Sequence, residues 1–268
     1  MWAWSIACAS PLADAETPLA ASEAAVVEAP PEPVAYVEDR LPTTVANAFP
    51  PPDGAARVDG GPFGAWILAQ GVLGIDVPVT TYAGDEVVGH DARVIDMPLV
   101  KGDLQQCADS AMRLRAEWQR SAGQSPMFHA TSGDEMPWAR FAAGETPYAV
   151  GNGLAWKQGS TGRWEDWLRL VFTWAGTRSL ALDTVAADSP LPGDMIVHPG
   201  SPGHAVVLLD VATKGPVTYV LIGEGFMPAQ SFHVERGPYD GWYRYDGDGV
   251  LSPAWSLLQG ATLRRWKE

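Results

Sequence analysis

Cys107 and His204 are the side chains best suited to covalent chemistry at neutral pH, and Glu224 follows them as a carboxylate able to assist. A thiol attacks carbon as the thiolate, so it needs a base within hydrogen-bond reach and a third group that holds the base in one tautomer. In DLQQCADSAMRLRAEW, Asp103 has the character of an N-cap with Gln106 three residues on, and Leu104, Cys107, Ala108, Ala111, Met112 and Arg115 recur at helical spacing. Cys107 is therefore expected near the start of a helix, on or beside its buried stripe, where unpaired N–H groups favour the negatively charged sulfur. Packing is the plainer reading of the same position, because cysteine is among the most buried residues.

His204 belongs to the stretch LPGDMIVHPGSPGHAVVLLD. Pro192-Gly193 suits the centre of a type II turn, 195–197 a short strand, 198–203 a reversal, and 205–211 a buried strand that His204 opens. A further strand over 217–222 follows the turn 213–216 and reaches Gly223-Glu224-Gly225, which is expected to bring Glu224 beside His204. Taken singly, a strand histidine is a satisfied polar group and Glu224 a solvated carboxylate. Their order behind Cys107 gives them weight as a set.

The remaining elements must carry that set. Residues 63–70 read as a short helix or aromatic anchor, 77–82 and 92–99 as strands, 164–175 as an amphipathic helix stopped by Gly176, and 232–234 and 242–245 as short strands. Residues 124–156 read as irregular, with 128–131 a strand and Met136-Pro137-Trp138 a surface loop. His90-Asp91 and His233 are assigned to the surface or a strand edge.

Gln106-Cys107 on a helix, Pro192-Gly193-Asp194 before a strand, Gly203-His204-Ala205-Val206 in the next strand, and Glu224 after the strand beyond form an ordered series. The series resembles the CHAP and NlpC-type papain-like cysteine amidohydrolases over roughly residues 102–225. That resemblance implies an α+β fold with a papain-like core, a helix bearing the Cys packed on an antiparallel sheet bearing the His. It also implies Cys107 as nucleophile, His204 as general base, Glu224 as orienting residue, and the N–H of Cys107 together with Gln106 at the oxyanion. The substrate would be an amide bond in a peptidoglycan peptide or a related peptide, with no cofactor. Ala108-Asp109-Ser110 stand where CHAP members carry aromatics, and the span from Cys107 to Pro192 is longer than usual. The strings DLQQCADSAMRLRAEW, VFTWAGTRSL, GSPGHAVVLLDVA and FMPAQSFH also resemble a bacterial family of uncharacterised envelope proteins, across residues 63–255.

An apolar content of 46% supports a sizeable core, and a net charge of −14, from 18 basic against 32 acidic residues, opposes nucleic acid and anionic membrane surfaces as partners. Residues 1–11, MWAWSIACASP, resemble a truncated lipoprotein signal ending at Cys8; 12–52 read as a disordered Ala/Pro/Glu-rich tether and 53–268 as the folded domain. The expectation is a monomer of the periplasm or cell envelope that meets a membrane only through a lipid at Cys8. Two other readings stand beside the hydrolase. One is a non-catalytic envelope binding module that keeps the fold, with twelve Trp residues available for sugar faces. The other is a metal hydrolase built from His198, His204 and Glu224 or His129, disfavoured because the chain has no HExxH or paired CxxC spacing.

Overall fold

A computed structural model describes residues 43–89, 91–159, 162–246 and 260–268. The signal-like segment with Cys8, the tether up to residue 42, and His90 lie outside the described residues. The first half of the chain runs β1 (Thr43–Thr44), α1 (Val45–Ala48), β2 (Ala56–Arg57), α2 (Gly61–Leu68), β3 (Gly71–Val72), β4 (Ala92–Val94), α3 (Cys107–Ser121), β5 (Met127–His129), β6 (Glu135–Pro137), α4 (Trp138–Ala142), β7 (Glu145–Val150) and β8 (Gly153–Gln158). The second half runs α5 (Trp164–Trp174), α6 (Leu180–Asp183), β9 (Thr184–Ala186), β10 (Met195–His198), β11 (His204–Lys214), β12 (Val217–Glu224), β13 (His233–Glu235), β14 (Tyr243–Tyr245) and β15 (Thr262–Trp266).

The fold is mixed α and β, with few helices and one large antiparallel sheet in the order β4-β13-β12-β11-β10-β15-β9; β14 adds to β12 and β2 to β11. β11 lies at its centre and explains the unbroken apolar run in the sequence. Ala205, Val207 and Leu209 enter a core shared with Ala108 and Met112 of α3 and Leu168 and Val171 of α5. Val206 and Leu208 enter a second apolar layer with Ile196, Val220, Ile222 and Leu263. A strand covered on both faces has no polar side to alternate with.

The turn before β10 forms as its residues dictate. Asp194 N–H donates to the Leu191 carbonyl at 3.0 Å, with Gly193 at φ +91°. A Cβ on Gly193 would also stand 2.6 Å from the Phe63 ring, so backbone angle and packing both require glycine there. Asp194 then meets Arg265 of β15 at 2.6 Å, tying the C-terminal strand beside β10.

Several expectations are corrected. The domain does not begin at Asp53, because Val45 and Phe49 are at most 1% exposed in the main core. Arg57 fastens this segment: its Nε lies 2.6 Å from the buried Asp210, beside a bulge in β11, and its Nη2 donates to the carbonyls of Ala46 and Phe49 at 3.0 Å each. Two apolar anchors inside an Ala/Pro-rich stretch leave composition almost unchanged. Residues 124–156 are also ordered, as the hairpins β5-β6 and β7-β8 with α4 between β6 and β7. Met136 is fully buried rather than in a surface loop, and its carbonyl accepts Trp167 Nε1–H at 3.1 Å. Residues 77–82 contribute only the isolated bridges Thr80–Glu86 and Thr81–Gln230, and the strand expected over 92–99 ends as β4 at Val94.

Candidate active site

Helix α3 begins at Cys107 itself, with Gln106 rather than Asp103 as its N-cap. Gln106 has extended backbone (ψ −158°), and its N–H donates to Asp109 Oδ2 at 3.0 Å. Asp103 serves a different purpose: its Oδ1 accepts the Ala229 N–H at 2.7 Å and the Gln106 side-chain amide at 3.3 Å. Cys107 is therefore the first residue of the helix, where the main-chain N–H has no partner within the helix and the dipole is most positive. The thiol is half-buried, not packed into the stripe.

His204, the first residue of β11, is 1% exposed. Its Nε2 lies 2.9 Å from Glu224 Oε1, at the end of β12, and Glu224 is also buried. Cys107 acts on the same imidazole and favours its charged form. Burial works against a charged ring, yet Cys107 and Glu224 outweigh it and raise the His204 pKa to about 9. Phe226 packs edge-on against the ring, with 5.2 Å between centroids. The three groups line up as thiol, imidazole and carboxylate.

Cys107 and His204 open on a cleft of about 280 Å³. Its lining also includes Gln106, Asp109, Thr177, Ser201, Gly203, Phe226 and Met227. The approach of β12 to α3 depends on Gly225, since a Cβ there would stand 2.5 Å from Ser110 Oγ and 3.2 Å from the Gln106 carbonyl. Gln106 lies at the cleft, but its main-chain N–H is taken by Asp109 and the Leu104 carbonyl, and one side-chain N–H by Asp103.

The structure brings Cys107, His204, Glu224 and Gln106 together; His198 and His129 stand apart. His198 faces His204 in the β10–β11 ladder but does not line the cleft. His129 Nδ1 is held by Asp183 at 2.6 Å. Among the described residues, the group whose atoms could converge on a metal ion is Glu224, His233 and Glu235, within 4.8 Å of one another. His233 is thus not a surface or edge residue: it is fully buried, in register opposite Glu224, and its Nδ1 lies 2.8 Å from the Ser231 carbonyl. A three-residue strand carries too little pattern to reveal this in sequence. Asp109 was passed over as well, although its place three residues after the N-cap is a capping-box signal. Burial raises its pKa to about 8, against the lowering effect of the Gln106 and Asp109 main-chain N–H groups.

A family model described as "Domain of unknown function (4846)" matches residues 45–265. No curated protein and no solved structure matches the chain.

Proposed function

The chain belongs to the family of domain of unknown function 4846, and from that premise we propose that it is a thiol hydrolase of the papain-like, CHAP/NlpC type, cleaving an amide bond in a peptidoglycan peptide or related peptide at the cell envelope. One observation carries this reading: a cysteine at the first position of a helix shares a cleft with a buried histidine whose charged form it favours and whose Nε2 lies 2.9 Å from a buried glutamate.

In this mechanism the Cys107 thiolate attacks the amide carbonyl carbon, forming the C–S bond while the π electrons move to oxygen. The Cys107 N–H stabilises that oxyanion. The intermediate collapses by breaking the C–N bond, and the His204 imidazolium gives its proton to the departing amine. Neutral His204 next takes a proton from water, the hydroxide adds to the thioester, and the C–S bond breaks to return the thiolate and release the acid. Glu224 holds the ring through both halves and favours its charged form.

The alternative of a glycan- or peptide-binding module looks to a second cleft of about 520 Å³ that includes Phe63, Trp118 and Trp266. There the Arg115 guanidinium already covers the aromatic faces, 4.3 Å from the Trp118 ring centre and 5.1 Å from that of Phe63. The filled faces favour the hydrolase.

The pH dependence of Cys107 alkylation by iodoacetamide, compared with that of His204→Ala, tests the proposal. The expected result is rapid reaction of folded wild type near neutral pH and reaction at least 10-fold slower without His204. A thiol that reacts only after unfolding would overturn it. Peptidoglycan stem peptides are then the first substrates, with Cys107→Ser as the inactive control.

A further inference from the structure

We propose that Asp109 is a positioning residue, clamping the Gln106 N–H so that the Cys107 N–H is presented to the cleft as the oxyanion donor. This inference rests on the thiol-hydrolase reading and adds to it a residue outside the Cys-His-Glu set.

One peptide unit joins Gln106 to Cys107. Its carbonyl accepts the Ser110 N–H at 2.9 Å, along the helix. A trans peptide is planar, so the Cys107 N–H in the same plane points the opposite way, out of the helix start. What fixes the plane is the conformation of Gln106, whose N–H is shared between Asp109 Oδ2 at 3.0 Å and the Leu104 carbonyl at 2.9 Å. Asp109 is 6% exposed and lines the same cleft, while its Oδ1 is buried without a hydrogen-bond partner among the described residues.

An ionised carboxyl so placed would leave a charged oxygen unsolvated and set a negative charge beside the thiolate. Burial instead raises its pKa to about 8, so the clamp is neutral at neutral pH. The titratable groups that line the cleft with it are Asp103 from the preceding loop, His204 from β11 and Cys107 on α3 itself, and Arg113 follows one helical turn on. Arg113 is directed to the Gln105 side chain and the Pro98 carbonyl.

Two probes separate positioning from thiol reactivity. Iodoacetamide needs only the thiolate. N-acetyl-alaninal forms a hemithioacetal: sulfur bonds to the aldehyde carbon, and the carbonyl electrons move to an oxygen held by the oxyanion donor and protonated by His204. Asp109→Ala is expected to lower aldehyde affinity about 10- to 100-fold while iodoacetamide alkylation changes less than about twofold. Asp109→Asn is expected to restore affinity at pH 7 and to remove the decline that wild type shows as pH passes about 8. Equal aldehyde affinity in wild type and Asp109→Ala, or a wild-type pH profile in Asp109→Asn, would overturn this inference alone. A folded wild type inert to both probes would overturn it together with the hydrolase reading.

Discussion

His204 Nε2 lies 2.9 Å from Glu224 Oε1, although the β11–β12 ladder places Gly223 opposite Val207 and carries neither residue as a paired position. The pair is made by side-chain reach beyond the end of the ladder. Both side chains are buried, so the contact is also screened little by salt.

Glu224→Gln keeps the shape and removes the charge. The His204 pKa should fall from about 9 toward its ordinary value near 6.5, read from the ring resonances in an NMR titration. Alkylation of Cys107 at pH 7.5 should slow about 10- to 100-fold, as for loss of other groups that orient a functional histidine. An unchanged midpoint would remove Glu224 from its orienting role.

Stability should fall with rising pH through the neutral range. A histidine whose folded pKa is raised stabilises fully below about 6.5, and the contribution is lost as pH climbs to about 9. Asp109 acts in the same direction over a lower window, from about 4 to about 8, because its folded pKa is also raised. Each titrating group contributes at most about 1.4 kcal/mol per pH unit within its window. Urea unfolding between pH 5 and 9 measures the slope; His204→Gln should flatten the upper part and Asp109→Asn the lower part.

Gly225→Ala places a methyl group where Ser110 Oγ stands 2.5 Å away. The end of β12 must move from the start of α3, at a cost of about 1–3 kcal/mol. Thermal unfolding should show the loss, and Cys107 alkylation should slow because Glu224 precedes the shifted residue. Adding Ser110→Ala should recover part of both.

Phe49→Ala tests the corrected domain boundary. A fully buried aromatic in the main core should cost about 3–5 kcal/mol on truncation, measurable by denaturant unfolding. A residue of a disordered tether would cost nothing.

Local chemistry is legible in the residue string. DLQQC marked a helix start with the cysteine near it, Pro192-Gly193 marked a turn, and the Val- and Leu-rich run after His204 marked a central strand, because turn angles and apolar runs are written in neighbouring residues. The order Cys, His, Glu was legible for the same reason. The features that escape such a reading involve partners far apart in sequence or elements too short to show a period. Gln106 displaced Asp103 as the cap because Ala229, 126 residues from Asp103, claims that carboxylate. Phe49 joined the core through Arg57 and a bulge at Asp210. His233 turned inward because β13 lies between β12 and β4, and Asp109 became neutral because folding removed its solvent. Burial and long-range pairing are properties of the assembled sheet, and no window of neighbouring residues contains them.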